Sequence, residues 1–510
     1  MRLAAGAAAG GLIAVSIPPY GWWPLAVVGY GVVALSLTGA SLGGRLTLGA
    51  GVGLAQYGIG VWWVNEFSVP GCIVLILLGG LWVAAALGLV PGRGRLGVTV
   101  GLPAVMVLSD WGRSRYPLGG FPLGGTSLGQ ASSPWAPVLR LGGSLALTLL
   151  TAIAGLVLAA LVEAAWRGRR RQQSVGVGAG WGSPVRAGLG MAAVLVVVVA
   201  AADWSPHGGG APAQGLRSLK VALVQGGGPR GTRAINTDPQ LVFDRQLQAS
   251  AGLRAPVDLV VWPEATLQSF SHPVASTAEG SAVAGLAISL SATLVVGVEH
   301  DVGTEHYYNA ALAWAPDGTI VGQYIKNHRV PFGEYVPGRR LLSHFFNLAD
   351  VPLDAVAGHG PGILHSPAGP LGVMISYEVF FDDRARGAVD AGGEILVVPT
   401  NTASYRSDQV PAQELAAARL RAIETGRALL QVTPTGYTAV VGPDGHVEQQ
   451  TALGRRQVLT AAVPLRTGRT VYVRYGDLPT LIVALLGLTG GWVFALARRA
   501  GAASSEGHGA

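Results

Sequence analysis

Tyr324-Ile325-Lys326-Asn327-His328-Arg329-Val330-Pro331-Phe332-Gly333-Glu334-Tyr335-Val336-Pro337 is the most informative stretch of this 510-residue chain. The run Thr319–Ile325 that leads into it reads as a strand. Two prolines and a glycine then exclude regular structure. Lysine is scarce: Lys220 and Lys326 are the only two, and arginine fills almost every other basic position. A lysine kept here suggests a role that guanidinium cannot fill, a compact ammonium with a tunable pKa beside an oxyanion. An ordinary surface lysine is the alternative. Glu334 in the same loop is a candidate partner for Lys326 or a second carboxylate.

Two further strand ends carry candidate chemistry. Val260-Val261-Trp262-Pro263-Glu264 is a buried strand that ends in Trp-Pro and presents a carboxylate. Glu264 is either a site residue on a rigid strand end or a cap on a following helix, and local sequence weighs these evenly. Val373-Met374-Ile375-Ser376-Tyr377-Glu378 places a small hydroxyl at a strand end, with the next backbone N–H available as an oxyanion donor. Taken alone, a serine after a strand is mostly just a serine.

Around these motifs, short β-rich runs alternate with helical stretches. Strands are expected at Lys220–Gln225, Asp258–Trp262, Thr293–Glu299, Asn309–Trp314, Thr319–Ile325, Gly372–Ser376, Ile395–Pro399, Leu429–Thr433, Thr438–Val441 and Gln457–Val463. Helices are expected at Pro239–Ala251, Val274–Ser289, Asp382–Ala391 and Gln409–Thr425. Continuous Val/Ile/Leu runs are the mark of strands buried on both faces. An α/β domain with two packed sheets and outer helices follows. Asp317-Gly318 and Asp444-Gly445 read as turns between adjacent strands.

The N-terminal part is different. Half of the whole chain is apolar, only 12% is charged, and the mean hydropathy is +0.43. A soluble domain carries about 25% charge. Met1–Asp203 holds twelve Arg, no Lys and four acids, a net +8, which leaves −1 for the rest of a chain whose net charge is +7. The positive charge therefore sits with the apolar segments, which argues against a nucleic-acid face.

Spans are expected near Leu3–Ile17, Trp23–Leu37, Leu46–Val64, Cys72–Val90, Leu96–Leu108, Val138–Ala165, Ala187–Ala202 and Leu478–Ala497. With the N-terminus in the cytoplasm, Arg45, Arg93, Arg95, Arg167, Arg169, Arg170, Arg171, Arg498 and Arg499 fall in cytoplasmic connections, while the longer outer loop holds Arg113 and Arg115. The expected division is a membrane domain over 1–203 with seven helices, a linker over 204–218, an extracytoplasmic α/β domain over 219–475, an eighth helix over 476–498 and a cytoplasmic tail over 499–510. The Gly/Pro/Ser-rich loop 110–137 is expected outside, either lining a lipid entrance or serving as a simple connection. Histidines show no i,i+4 pair, so no metal site is expected.

The order W-P-E, then K-N-H-x-V-P-F-G-E-Y-V-P, then a strand ending in x-Y-E resembles the apolipoprotein N-acyltransferases of the nitrilase (carbon–nitrogen hydrolase) superfamily. The resemblance covers nearly the whole chain. It implies a membrane helical bundle of about eight spans carrying an αββα sandwich, without a cofactor, in a bacterial plasma membrane. It implies a phospholipid acyl donor, a diacylglyceryl-modified lipoprotein acceptor and a monomer. By the same resemblance, Glu264 is the general base, and Lys326 stabilises the oxyanion with the Tyr377 amide. Glu334, Tyr377 and Glu378 support the site. The family's nucleophile is a cysteine, and here that position is Ser376.

The lone cysteine, Cys72, lies at the end of an expected span. A thiol has a pKa near 8.5 and ionises readily beside a base and a cation. A serine hydroxyl needs an aligned base at the moment of attack. Ser376 is thus a weak or altered nucleophile, the mark of an impaired paralogue that binds lipid or lipoprotein, or an engineered trap. A membrane-tethered amidase is a further alternative. The family's Asn-Asp-Ala-Trp-like run reads Asn401-Thr402-Ala403-Ser404-Tyr405, so its tryptophan is missing. Arg419, Arg421 and Glu424 are read as structural pairing.

Overall fold

The computed structural model describes residues 1–92, 94–172, 200, 217–233, 236–345 and 347–506. Two units separate by their internal contacts, Met1–Ser205 with Tyr475–Ala510, and Pro206–Arg474. In the first, the apolar runs become helices: Arg2–Ser16, Pro24–Leu37, Leu42–Gly60, Val69–Gly88, Arg95–Arg113, Leu139–Gln172 and Leu478–Glu506. Helical stretches within Val69–Gly88, Ala136–Arg167 and Leu478–Ala497 are long and apolar enough to cross a membrane, and Arg2–Ser16 and Pro24–Leu37 are shorter apolar helices. Seven of the eight expected spans coincide with these helices. The span expected at Ala187–Ala202 lies outside the described residues apart from Ala200, as does nearly all of the linker.

Outward-facing Leu77, Leu81 and Leu486 are more than half exposed, as lipid-facing side chains are. Inside, small residues let backbones touch. A Cβ on Gly10 would collide with the Val52 carbonyl of the Leu42–Gly60 helix. Such contacts hold helices together where lipid removes the hydrophobic drive between them.

The segment 110–137 is packed and partly helical rather than an open connection. The Arg95–Arg113 helix runs on past Leu108, and much of the stretch from Leu123 to Val138 is buried. Thr126 Oγ1 lies 2.9 Å from the Tyr30 hydroxyl, and Trp135 Nε1 donates to Thr151 Oγ1 at 3.2 Å. Buried Arg113 donates to the Leu123 carbonyl at 3.1 Å and pairs with Asp110 at 3.3 Å. A Gly/Pro-rich segment has few side chains in its way, so it can pack inward when its polar groups find internal partners.

Among the described residues of the second unit, fourteen strands form: β1 (Ser218–Gln225), β2 (Leu259–Val261), β3 (Leu267–Ser269), β4 (Thr293–Val302), β5 (His306–Trp314), β6 (Ile320–Ile325), β7 (Asp354–Ala355), β8 (Ile363–Ser366), β9 (Gly369–Val373), β10 (Ile395–Pro399), β11 (Leu429–Val432), β12 (Ala439–Val441), β13 (Val447–Gln450) and β14 (Gln457–Pro464). One sheet orders β14-β1-β2-β4-β5-β6, with β3 on β4 and β7 on β5. The other orders β13-β12-β11-β10-β9-β8. β1, β2 and β4 run parallel, and so do β9, β10 and β11.

The sheets face each other. Val221, Leu223, Val261 and Val295 of the first share one core with Leu371, Val373, Val397 and Leu430 of the second. On the other face of the first sheet, Val260, Trp262, Leu294 and Trp314 lie under Phe243 and Val283 of the helices Pro239–Ser250 and Ala278–Leu290. Helices Asp382–Asp390 and Gln409–Thr425 contact the second sheet. This is the αββα sandwich that the sequence resemblance implies. Both expected turns form, with Gly318 and Gly445 at φ +83° and +80°.

β3, β7, β8 and β13 carry no apolar run to announce them. β13 reads Val-Glu-Gln-Gln, mostly exposed at a sheet edge. The strand expected to reach Ser376 ends at Val373.

One buried polar knot ties β1 to the second sheet's edge. Gln225 Oε1 accepts from Thr438 Oγ1 at 2.8 Å and Thr451 Oγ1 at 2.7 Å. Its Nε2 donates to the carbonyls of Ala452 and Arg455 at 2.8 and 2.9 Å. Replacing Gln225 with Leu removes these four hydrogen bonds, each worth roughly 0.5–1.5 kcal/mol net. The thermal midpoint of the Gln225→Leu protein, measured in detergent, is expected to fall by several degrees. An unchanged midpoint counts against the knot as a stabilising element.

Candidate active site

Functional groups in open α/β sheets collect at the carboxyl ends of parallel strands. Here Glu264 follows β2, Ser376 follows β9 and Thr400 follows β10. Lys326 follows β6, and the loop after it brings Glu334 back.

Lys326 is the centre of the cluster. It is 2% exposed, and its Nζ donates to Glu264 Oε1 at 2.8 Å and Glu334 Oε1 at 2.7 Å. Asn309 Nδ2 donates to the same two oxygens, each at 2.8 Å. The second oxygen of Glu334 takes the Val330 N–H at 2.7 Å. The lysine is therefore no surface lysine, and Glu334 is its partner. No helix follows Glu264, which rules out the capping alternative.

Burial alone pushes the Lys326 ammonium down, but the two carboxylates more than offset it and hold its pKa above the usual lysine value. Burial pushes Glu264 up, with Lys326 pulling it part of the way back. Glu299, opposite Asn309 on β4, is also pushed up by burial, to about 8.

Glu378 works differently. Both of its oxygens are occupied: Tyr324 OH donates at 2.8–2.9 Å, and the amides of Asn327, His328 and Ile375 donate at 2.7, 3.0 and 2.8 Å. It pins the Lys326 loop to the strand end that carries Ser376. Tyr377 stacks edge-on against Phe381 at 5.0 Å. Arg421 and Glu424 pair at 2.8 Å, while Arg419 donates to the Gly445 carbonyl.

Ser376 sits at φ +50°, Ala265 beside Glu264 at +52°, and Phe332 in the Glu334 loop at +61°. Non-glycine residues rarely adopt this region, and such strain collects at functional sites. Ser376 Oγ hydrogen-bonds to Glu414 Oε1 at 3.4 Å and Thr400 Oγ1 at 3.2 Å. The structure thus brings Glu264, Lys326 and Glu334 into direct contact. Ser376 stands on the second sheet, with neither Glu264 nor Lys326 among its hydrogen-bond partners.

Asn309, Thr400 and Glu414 are polar members of the site that no sequence motif singled out. Asn309 is hidden inside an apolar strand. Glu414 is an acid in a helix otherwise rich in alanine, which was the available signal.

The α/β unit has the fold of the nitrilase superfamily, and residues 220–472 match the carbon-nitrogen hydrolase family. Residues 9–157 match the apolipoprotein N-acyltransferase N-terminal domain. The chain is 30% identical to the apolipoprotein N-acyltransferase of Mycolicibacterium smegmatis, over 94% of this chain and 83% of that protein. It is 29% identical to that of Geobacter metallireducens, over 92% and 90%. Among solved structures, an amidase from Nesterenkonia sp. is similar at 22% identity and a TM-score of 0.35, covering 48% of this chain and 90% of that one. The chain belongs to the apolipoprotein N-acyltransferase family and is an acyltransferase with apolar, membrane-type helices.

Gly297 on β4 sets the Glu264 loop. Its N–H donates to the Pro263 carbonyl at 3.1 Å, its carbonyl accepts from Thr266 at 3.0 Å, and a Cβ would collide with Pro263 O and Glu264 Cα. Gly297→Ala is expected to lower acyl transfer at least about tenfold by moving Glu264, since misplacement by about 1 Å costs up to 10²-fold. A kinetic comparison with the native chain checks this, and equal rates refute it.

The raised carboxyls also predict a pH trend. A group with a folded pKa of about 8 and an ordinary unfolded pKa near 4.3 stabilises the fold at low pH and loses that contribution as pH rises between them. The thermal midpoint should fall from pH 5 to pH 9, and Glu299→Gln should flatten the trend. Parallel curves for the two proteins would refute the assignment.

Proposed function

We propose that this chain moves a fatty acyl chain from a membrane phospholipid to the N-terminal amine of a diacylglyceryl-cysteine lipoprotein, through an ester on Ser376. The observation that supports it most is a hydroxyl at a strained strand end, in a site whose cation and carboxylates are assembled. Lys326 Nζ, with the Tyr377 amide, receives the oxyanion of the tetrahedral intermediate. Glu264 handles protons of the leaving alcohol and the incoming amine. Glu334 and Asn309 hold Lys326 and Glu264 in register.

The ester is less reactive toward an amine than a thioester, so turnover is slow relative to a cysteine enzyme. The same reading makes residues 219–475 extracytoplasmic and both termini cytoplasmic in a bacterial plasma membrane. Arg45, Arg95 and Arg167, near the helix ends that this topology puts in the cytoplasm, support it.

The test uses the full-length protein with phospholipid and a diacylglyceryl lipopeptide. Mass spectrometry is expected to find an acyl adduct on the Ser376 peptide. Ser376→Ala should abolish both adduct and transfer, and Ser376→Cys should raise turnover and give a hydroxylamine-labile thioester. Transfer unchanged in Ser376→Ala removes Ser376 as nucleophile. Lipid binding with no transfer in either the native or the Ser376→Cys protein would point to a lipid- or lipoprotein-binding role.

A further inference from the structure

Of the site's carboxylates, Glu414 is the one that contacts the proposed nucleophile. It projects from the helix Gln409–Thr425 and is 3% exposed. Its Oε1 accepts from Thr400 Oγ1 at 2.6 Å and from Ser376 Oγ at 3.4 Å. Its Oε2 is buried without a partner.

A carboxylate kept for structure has its oxygens filled, as Glu378 has with Tyr324 and three backbone amides. Glu334 likewise spends both oxygens on Lys326, Asn309 and the Val330 amide. Burying an acid and leaving one oxygen empty costs stability. An arrangement that costs stability at a strained serine points to chemistry. Burial pushes the Glu414 carboxyl up to about 8, with the nearby Glu264 adding to the rise and the Thr400 hydrogen bond and Lys326 opposing it. A base in that range is well matched to proton transfer near neutral pH. Tyr405 also faces this carboxylate, and its own pKa is raised mainly by burial.

We infer that Glu414 is the catalytic base for Ser376, taking the Oγ proton as Oγ attacks the phospholipid ester, a role that rests on Ser376 being the nucleophile. Thr400 is a positioning residue that holds the Glu414 oxygen toward Oγ. Oγ forms a bond to the acyl carbon, and Glu414 takes its proton. The intermediate collapses by breaking the bond to the lysophospholipid oxygen, which leaves with the proton of a protonated Glu264. In the second half, the lipoprotein amine attacks the ester and yields its proton to ionised Glu264. Ser376 Oγ leaves with the proton held by Glu414. Both carboxyl groups end as they began.

The test is a double-mutant cycle on the full-length protein, reading the rate of acyl adduct formation at position 376 from phospholipid alone. In the native chain, Glu414→Gln should lower the rate about 100-fold, the size of a lost general base. In a Ser376→Cys background the same change should cost at least about tenfold less, because a thiol ionises without a strong base. That non-additivity is a result that a merely structural role of Glu414 would not produce. Equal losses in both backgrounds make Glu414 a packing residue and overturn the inference. So does a native-background loss under about threefold. A native chain with no adduct, beside a Ser376→Cys chain that acylates, overturns the inference together with the Ser376 reading. Adducts in the native chain that ignore Glu414→Gln overturn the inference and leave Ser376 standing.

Discussion

A single ammonium buried between two carboxylates is the constraint around which the second unit is organised. An isolated lysine in a dry interior would lose its proton or cost several kcal/mol. Glu264 and Glu334 prevent this, and Asn309 bridges the same pair of oxygens. Each carboxylate then needs a backbone that can bring it in. For Glu264 that is the tight approach of the Pro263–Thr266 turn to Gly297. For Glu334 it is the Pro/Gly loop that closes on the Val330 amide. The costs show as left-handed backbone at Ala265 and Phe332.

The two sheets divide the labour. The first supplies the cation and its carboxylates. The second supplies Ser376, Thr400 and, through its covering helix, Glu414. The distance between the halves is set mainly by the Val, Leu and Ile side chains packed between the sheets. Glu378 is the main polar tie, reaching from the serine's strand end to the backbone after Lys326. Its saturation makes it a strut, whereas the unfilled oxygen of Glu414 makes it available. Two acids on the serine's side of the site, both deeply buried, thus differ in what their surroundings leave undone.

Much of this was legible from residues alone. The rarity of lysine singled out Lys326, and Pro/Gly density marked its loop as fixed. Continuous apolar runs located the parallel strands because these are buried on both faces. What stayed hidden has physical causes. β8 and β13 are short edge strands whose pairing comes from neighbours, not from their own pattern. Asn309 is indistinguishable from any strand residue until Glu264 and Glu334 arrive beside it. Glu414 becomes a site residue only when its helix is laid over the β9 and β10 ends. The inward packing of the segment before Val138 depends on partners such as Tyr30, far away in sequence.

The pairing of β1 with β14 has a further consequence. Ser218 lies opposite Pro464, and the Leu465 amide donates to the Arg217 carbonyl at 2.9 Å. The first and last described strands of the unit are therefore zipped together along their whole length, with their outer ends side by side. A domain with adjoining ends can be spliced between two consecutive helices as though it were a short turn. Adjoining ends make such a unit easy for a surrounding chain to carry. It also lets the cassette fold around its own closed seam.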